Sequence, residues 1–80
     1  MRKRARIGTL ILDEASERMA IRYGLEEYSA GIHCGQPLEV KIKNRWQWTR
    51  MEMSVEGKWY LVGINTNDIA GLVVRVEGEI

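Results

Sequence analysis

The chain has 80 residues, 45% hydrophobic and 29% charged, which is the balance of an ordinary folded domain and not of a disordered tail. A chain of this size hides only about 60% of the surface its unfolded form exposes, so it has room for one thin core and one domain over residues 1–80. Apolar runs such as Leu10–Leu12 and Leu72–Val74 are far too short to cross a bilayer, and no apolar stretch of signal-peptide length follows Met1-Arg2-Lys3-Arg4. No membrane contact is expected. The single cysteine leaves no internal disulfide, in keeping with a reducing, cytoplasmic setting.

The formal net charge of +1 conceals an asymmetry. Arg2, Lys3, Arg4 and Arg6 precede the first acid, Asp13, and the rest of the chain holds eight basic against eleven acidic residues. Residues 1–5 read as a basic, flexible arm, and together with Arg6 they offer cations to phosphate.

The dominant rhythm along the chain is two. Ala5 to Leu12 is rich in β-formers and ends in the polar stretch Asp13-Glu14-Ala15-Ser16. Arg18 to Tyr23 alternates, with Met19 and Ile21 on one side and Arg18, Ala20 and Arg22 on the other, so the pair predicts a hairpin. A short helix over Asp13 to Glu27, capped by Ser16 and ended by Gly24, is the competing reading. The long loop Gly24 to Pro37 follows.

Leu38-Glu39-Val40-Lys41-Ile42-Lys43 carries the clearest signal, three apolar residues facing one way and three charged ones the other. Asn44-Arg45 then predicts a two-residue turn into a partner strand from Trp46 to Met53. Val55-Glu56-Gly57-Lys58 predicts a second tight turn into a strand from Lys58 to Ile64. The connection Asn65 to Gly71 contains Asn67-Asp68-Ile69-Ala70, which suits one helical turn, and Leu72 to Val76 supplies the last strand.

Five to six short strands in this length cannot build a large sandwich, and a sheet so small curls on itself to cover its apolar face. The expected fold is all-β, a small SH3-like partly open barrel of antiparallel strands with one short helical turn before the last strand. An OB-type barrel is the alternative, although its usual helix has no obvious place here.

Several segments carry a resemblance when taken together: Gly8-Thr9-Leu10; Gly31-Ile32-His33-Cys34-Gly35 with Leu38-Glu39-Val40; Trp46 followed by Thr49-Arg50-Met51-Glu52; Trp59-Tyr60-Leu61-Val62-Gly63; and Gly71-Leu72-Val73-Val74-Arg75. The series resembles a small domain-of-unknown-function family of Gram-positive bacteria and their mobile elements, from about Gly8 to Val76. The resemblance implies the small barrel and brings no catalytic or binding residues with it.

His33-Cys34 is the one place where a thiol and a base adjoin, but neighbouring side chains of an extended segment point to opposite sides, and no orienting group or oxyanion hole accompanies them. One cysteine and one histidine are half a zinc site, and no phosphate- or dinucleotide-binding motif is present. Glu26-Glu27 are adjacent without acid–base geometry. No catalytic residue, metal site or cofactor is expected, and an enzyme ranks last.

The aromatic residues are the better lead. Trp46 and Trp48 lie two apart on one strand and share a face. With Met51 and Met53 inward, Trp46, Trp48, Arg50 and Glu52 point outward, joined by Lys41 and Lys43 from the neighbouring strand. Two arrangements stay open: both indoles form a ligand platform, or one is exposed and one largely buried. The expected function is a non-enzymatic interaction module whose aromatic and basic face, Trp46, Trp48, Arg50, Lys41 and Lys43, contacts a protein partner or a second copy of the chain. The alternative is an accessory nucleic-acid binder using Arg2, Lys3, Arg4 and Arg6 with the same face, although the nearly neutral net charge speaks against it.

Overall fold

The computed structural model describes residues 5–77. Six strands form, β1 (Ala5–Asp13), β2 (Arg18–Arg22), β3 (Pro37–Ile42), β4 (Arg45–Met53), β5 (Trp59–Leu61) and β6 (Val73–Glu77). All neighbours are antiparallel, in the order β2-β1-β6-β3-β4-β5. The last strand therefore inserts between the first and the third, and the sheet curls into the small, partly open barrel that its length requires. Arg18–Arg22 is a strand, which settles the Asp13 to Glu27 region as a hairpin.

The pleat sorts the side chains. Leu10, Met19, Ile21, Leu38, Val40, Met51, Leu61, Val74 and Val76 bury themselves on the inner face. Strands alone leave this core open, and two connections complete it. Ile32, from the long loop after β2, is buried, and its N–H donates to the Met19 carbonyl at 2.8 Å. The same loop lies along the free side of β2, where Ser29 donates its N–H to the Ile21 carbonyl at 2.8 Å and accepts from the Ile21 N–H through its hydroxyl at 2.8 Å. Ile69, before β6, is the second plug.

Two local expectations are corrected. The β3–β4 turn is made by Lys43 and Asn44, at φ 50° and 65°, and not by Asn44-Arg45. Both central residues are left-handed, the type I′ geometry that matches the twist of a two-residue hairpin, so Arg45 becomes the first residue of β4 and Lys43 leaves its strand for the turn tip. The helical turn expected over Asn67–Ala70 does not form, and there is no helix among the described residues. The Asp68 carboxylate instead accepts the Ala70 N–H at 2.9 Å, and the Ile69 carbonyl accepts the Leu72 N–H at 3.2 Å, a tight turn that pushes Ile69 into the core. The strand expected over Lys58–Ile64 is shorter, because Gly63 at φ 78° turns the chain away from the sheet and the Ile64 N–H bonds the Leu61 carbonyl.

Gly8 marks a close approach of β1 to β2. A Cβ there meets Ile21 Cγ2 at 2.5 Å and the Arg22 carbonyl oxygen at 2.6 Å. A backbone atom cannot swing aside, so G8A is expected to destabilise the fold by about 1–3 kcal/mol. Met51→Ala, emptying a fully buried position, is expected to cost about 2–5 kcal/mol, a large part of the total stability of a domain this small. Urea midpoints of the two variants against wild type check both values.

Candidate functional site

On the outer face of β3 and β4, Lys41, Trp48 and Arg50 are exposed. Antiparallel partners share a face, so the register writes a row across four strands: Ile7 opposite Arg75, Arg75 opposite Glu39, and Glu39 opposite Trp48. Lys41 lies opposite Trp46 in the next row, and Glu52 opposite Tyr60 toward the other end of β4. Met51 is buried on the inner face, so the parity that sends Trp46, Trp48, Arg50 and Glu52 outward is the one realised.

The two indoles differ in environment. Trp48 is 61% exposed, whereas Trp46 is half-buried. The Arg75 guanidinium lies over the Trp46 ring at 4.3 Å from its centre, and Lys41 Nζ approaches the same ring at 5.8 Å. Arg75 is held by Glu39, which accepts its Nε–H at 3.0 Å and a second N–H at 2.9 Å in a bidentate pair. Those hydrogen bonds hold the Glu39 carboxyl below the ordinary carboxylate range, against the opposing effect of partial burial, with the nearby positive charge acting in the same direction. The Arg75 pKa is raised by the same hydrogen bonds.

The remaining expected site residues divide. Arg50 is on the face and donates to Glu52 at 3.1 Å. Lys41 is on the face, while Lys43 sits at the hairpin tip. Among the described residues, Lys41, Lys43 and Arg45 make no ion pair. From Val40 to Met51 the sequence holds four cations and no acid, so the β3–β4 hairpin end is a positive lobe. Arg2, Lys3 and Arg4 lie outside the described residues. Arg6 is already engaged: it pairs with Glu27 and stacks on the Tyr23 ring at 3.8 Å from its centre. The Tyr23 hydroxyl is buried with no hydrogen-bond partner among the described residues, and that burial pushes its pKa up, with Arg6 opposing and Glu27 assisting.

Other candidates are not brought together. His33 and Cys34 are both exposed, and the His33 backbone bonds Gln36, its N–H donating to the Gln36 side chain at 3.3 Å and its carbonyl accepting the Gln36 N–H at 3.2 Å. Among the described residues no three His, Cys, Asp or Glu side chains cluster as a metal site. A groove of about 610 Å³ opens at the other end of the barrel, between Leu12, Met19, Met53, Trp59 and Ile69, and none of the expected site residues lines it. The Trp59 indole N–H spans that end to the Glu17 carbonyl at 2.8 Å.

Sequence reasoning put Glu39 on the charged side of its strand but left it, with Arg75 and Tyr60, out of the contact residues. Their outward parity was readable in Leu38-Glu39-Val40, Val74-Arg75-Val76 and Trp59-Tyr60-Leu61, but the pairing of β3 with β6 has no local signal.

Residues 8–76 match the family model described as "Domain of unknown function (DUF5348)", and the chain belongs to that family. A comparison with curated proteins finds no match. The fold is similar to the crystal structure of a protein from Ruminococcus gnavus, solved by a structural genomics consortium. The two share 44% identity with a TM-score of 0.81, over 89% of this chain and all of the other. Among the described residues no helix is long and apolar enough to cross a membrane.

Because the Glu39 pKa is depressed in the folded state, its contribution to stability is present above the unfolded value of about 4.3 and is lost as the pH falls through the folded value. Glu39→Gln is therefore expected to lower the urea midpoint at about pH 7, and the gap to wild type to close on acidification below about pH 4. A pH series of unfolding curves for both proteins checks this.

Proposed function

We propose that this domain is a non-enzymatic interaction module that contacts a partner protein through the outer face of β3 and β4, with Trp48, Trp46, Lys41 and Arg50 as the contact residues and Lys43 at its margin. The observation that carries this reading is the 61% exposure of Trp48, a large amphipathic side chain set beside the exposed Lys41 and Arg50. Ile7, Val73 and Tyr60 extend the apolar surface across the sheet, at 55%, 37% and 41% exposure. Interfaces favour aromatic and arginine anchors in such a setting, and Trp46 is already held in place by the Arg75–Glu39 pair.

Charge pairing separates this reading from a nucleic-acid surface. Arg75 and Arg50 are matched by Glu39 and Glu52, which puts two carboxylates among the groups that would meet phosphate, and Arg6 of the basic arm is spent on Glu27. Guanidinium cover on Trp46 also leaves Trp48 as the more open stacking surface of the two. The proposed setting is the cytoplasm of a Gram-positive bacterium or a mobile element it carries, supported by the family resemblance and the lone cysteine.

The test is capture of bound protein from the native host, with wild type and Trp48→Ala immobilised side by side. A protein retained by wild type and reduced at least about tenfold by the substitution, insensitive to nuclease, is expected. Loss of the retained material on nuclease treatment would overturn the protein reading in favour of nucleic acid. Trp48 is exposed, so the variant is expected to unfold within about 0.5 kcal/mol of wild type.

A further inference from the structure

Of the two terminal edges of the sheet, one is covered and the other is short. The free side of β2 is occupied by the loop that carries Tyr28, Ser29 and Ile32. β5 is only three residues long, and its Leu61 carbonyl is taken by Ile64. β4 differs, because it is nine residues long and β5 pairs only with Met51–Met53. Beyond them Val62 donates to the Arg50 carbonyl at 3.1 Å, and there the cover ends.

Alternation states which backbone groups are left. The Lys43–Asn44 turn makes Ile42 and Arg45 the first hydrogen-bonded pair, so Arg45, Gln47, Thr49 and Met51 aim their N–H and C=O groups at β3. Met51 confirms the phase, donating to the Gln36 carbonyl at 3.0 Å and accepting from Gly35 at 2.7 Å. Trp46 and Trp48 consequently aim theirs the other way, past the end of β5, where they find no protein partner among the described residues. Gln47 is exposed on the opposite side of the strand from Trp48, so this end of the hairpin meets solvent on both faces and along its edge.

Resting on the protein-contact reading of this face, we infer that the Arg45–Trp48 edge of β4 receives an extended acidic segment of a partner protein as an added strand. The unmatched N–H and C=O groups of Trp46 and Trp48 supply the main-chain ladder, which is how extended peptides join an open sheet edge. Charge complementarity selects the partner's chemistry. Lys41, Lys43 and Arg45 make no ion pair among the described residues and surround this edge, within about one screening length of a strand laid 4.8 Å away. The outer face of the added strand lies beside the exposed Trp48 indole and takes an apolar side chain, while its acidic residues face Arg45 and the hairpin tip. A second copy of the hairpin would bring like charges to the same edge.

The test titrates acetylated, amidated hexapeptides of alternating Glu/Val, Ser/Val and Lys/Val into the labelled full chain, reading backbone amide shifts. The Glu/Val peptide is expected to shift the Trp46 and Trp48 amides and to bind at least about tenfold more tightly than the Lys/Val peptide, with Ser/Val between. N-methylating alternate peptide residues is expected to remove at least about tenfold of that affinity, because it deletes the ladder donors. Trp48→Pro and Trp48→Ala complete the comparison. Both lose the indole, but only the proline loses the outward N–H, and it breaks no bond to β3. Weaker binding by Trp48→Pro than by Trp48→Ala supports strand addition. Equal weakening by both, with N-methylation harmless, overturns strand addition while leaving side-chain contact through the face intact. Failure of the Glu/Val peptide to bind overturns the inference, and if a thymidine oligonucleotide shifts the same amides instead, the protein-contact reading fails with it. Thermal unfolding of each variant confirms that the fold is retained.

Discussion

Burial of a single sheet face governs this molecule. Leu10, Ile21, Leu38, Val40, Met51, Leu61 and Val74 all lie on the inner side and are removed from water, while on the outer side of β3 and β4 Lys41, Trp48 and Arg50 stay exposed. Each fully buried aliphatic side chain contributes on the order of 1.5–3 kcal/mol, and with so few of them the inward parity of every strand is strictly enforced. A one-residue slip of β4 would exchange Met51 for a charged neighbour, Arg50 or Glu52, in the core. The same constraint that stabilises the fold therefore places Trp46, Trp48 and Arg50 on the outer face. The candidate face is the unavoidable reverse of the core.

Sheet curvature leaves work for the connections. The loop after β2 closes one edge and lends Ile32 to the core, and the turn before β6 lends Ile69. These segments combine polar backbone pairing with one apolar plug each, which lets irregular chain cover a small barrel without burying unmatched main-chain groups. The β3–β4 hairpin receives no such cover. Its end extends past the core, so Arg45 and Gln47, although on the inward parity, are exposed.

On the outer face, order comes from charge pairing and stacking. Glu39 pairs with Arg75, and Arg75 stacks over Trp46, so one indole is partly covered while its neighbour two residues on is open. The hairpin tip departs from the usual turn preference. Lys43 occupies a left-handed position at which asparagine or glycine is favoured, and it adds its charge to those of Lys41 and Arg45.

Periodicity alone disclosed a dominantly β chain, its hairpins to within a residue or two, and which parity of each strand is apolar, because the pleat acts on residues one and two apart. Leu38-Glu39-Val40-Lys41-Ile42 carried its inward and outward sides openly, and Met51 marked the inward side of β4. The placement of β6 between β1 and β3 came only with the tertiary structure, and with it the Arg75–Glu39 pair and the partial cover on Trp46. So did the absence of a helical turn at Asn67–Ala70, where burying Ile69 outweighed local helix preference. Pairing between strands distant in sequence depends on closing the whole barrel over its core. That is a property of the complete chain, and no window of neighbouring residues contains it.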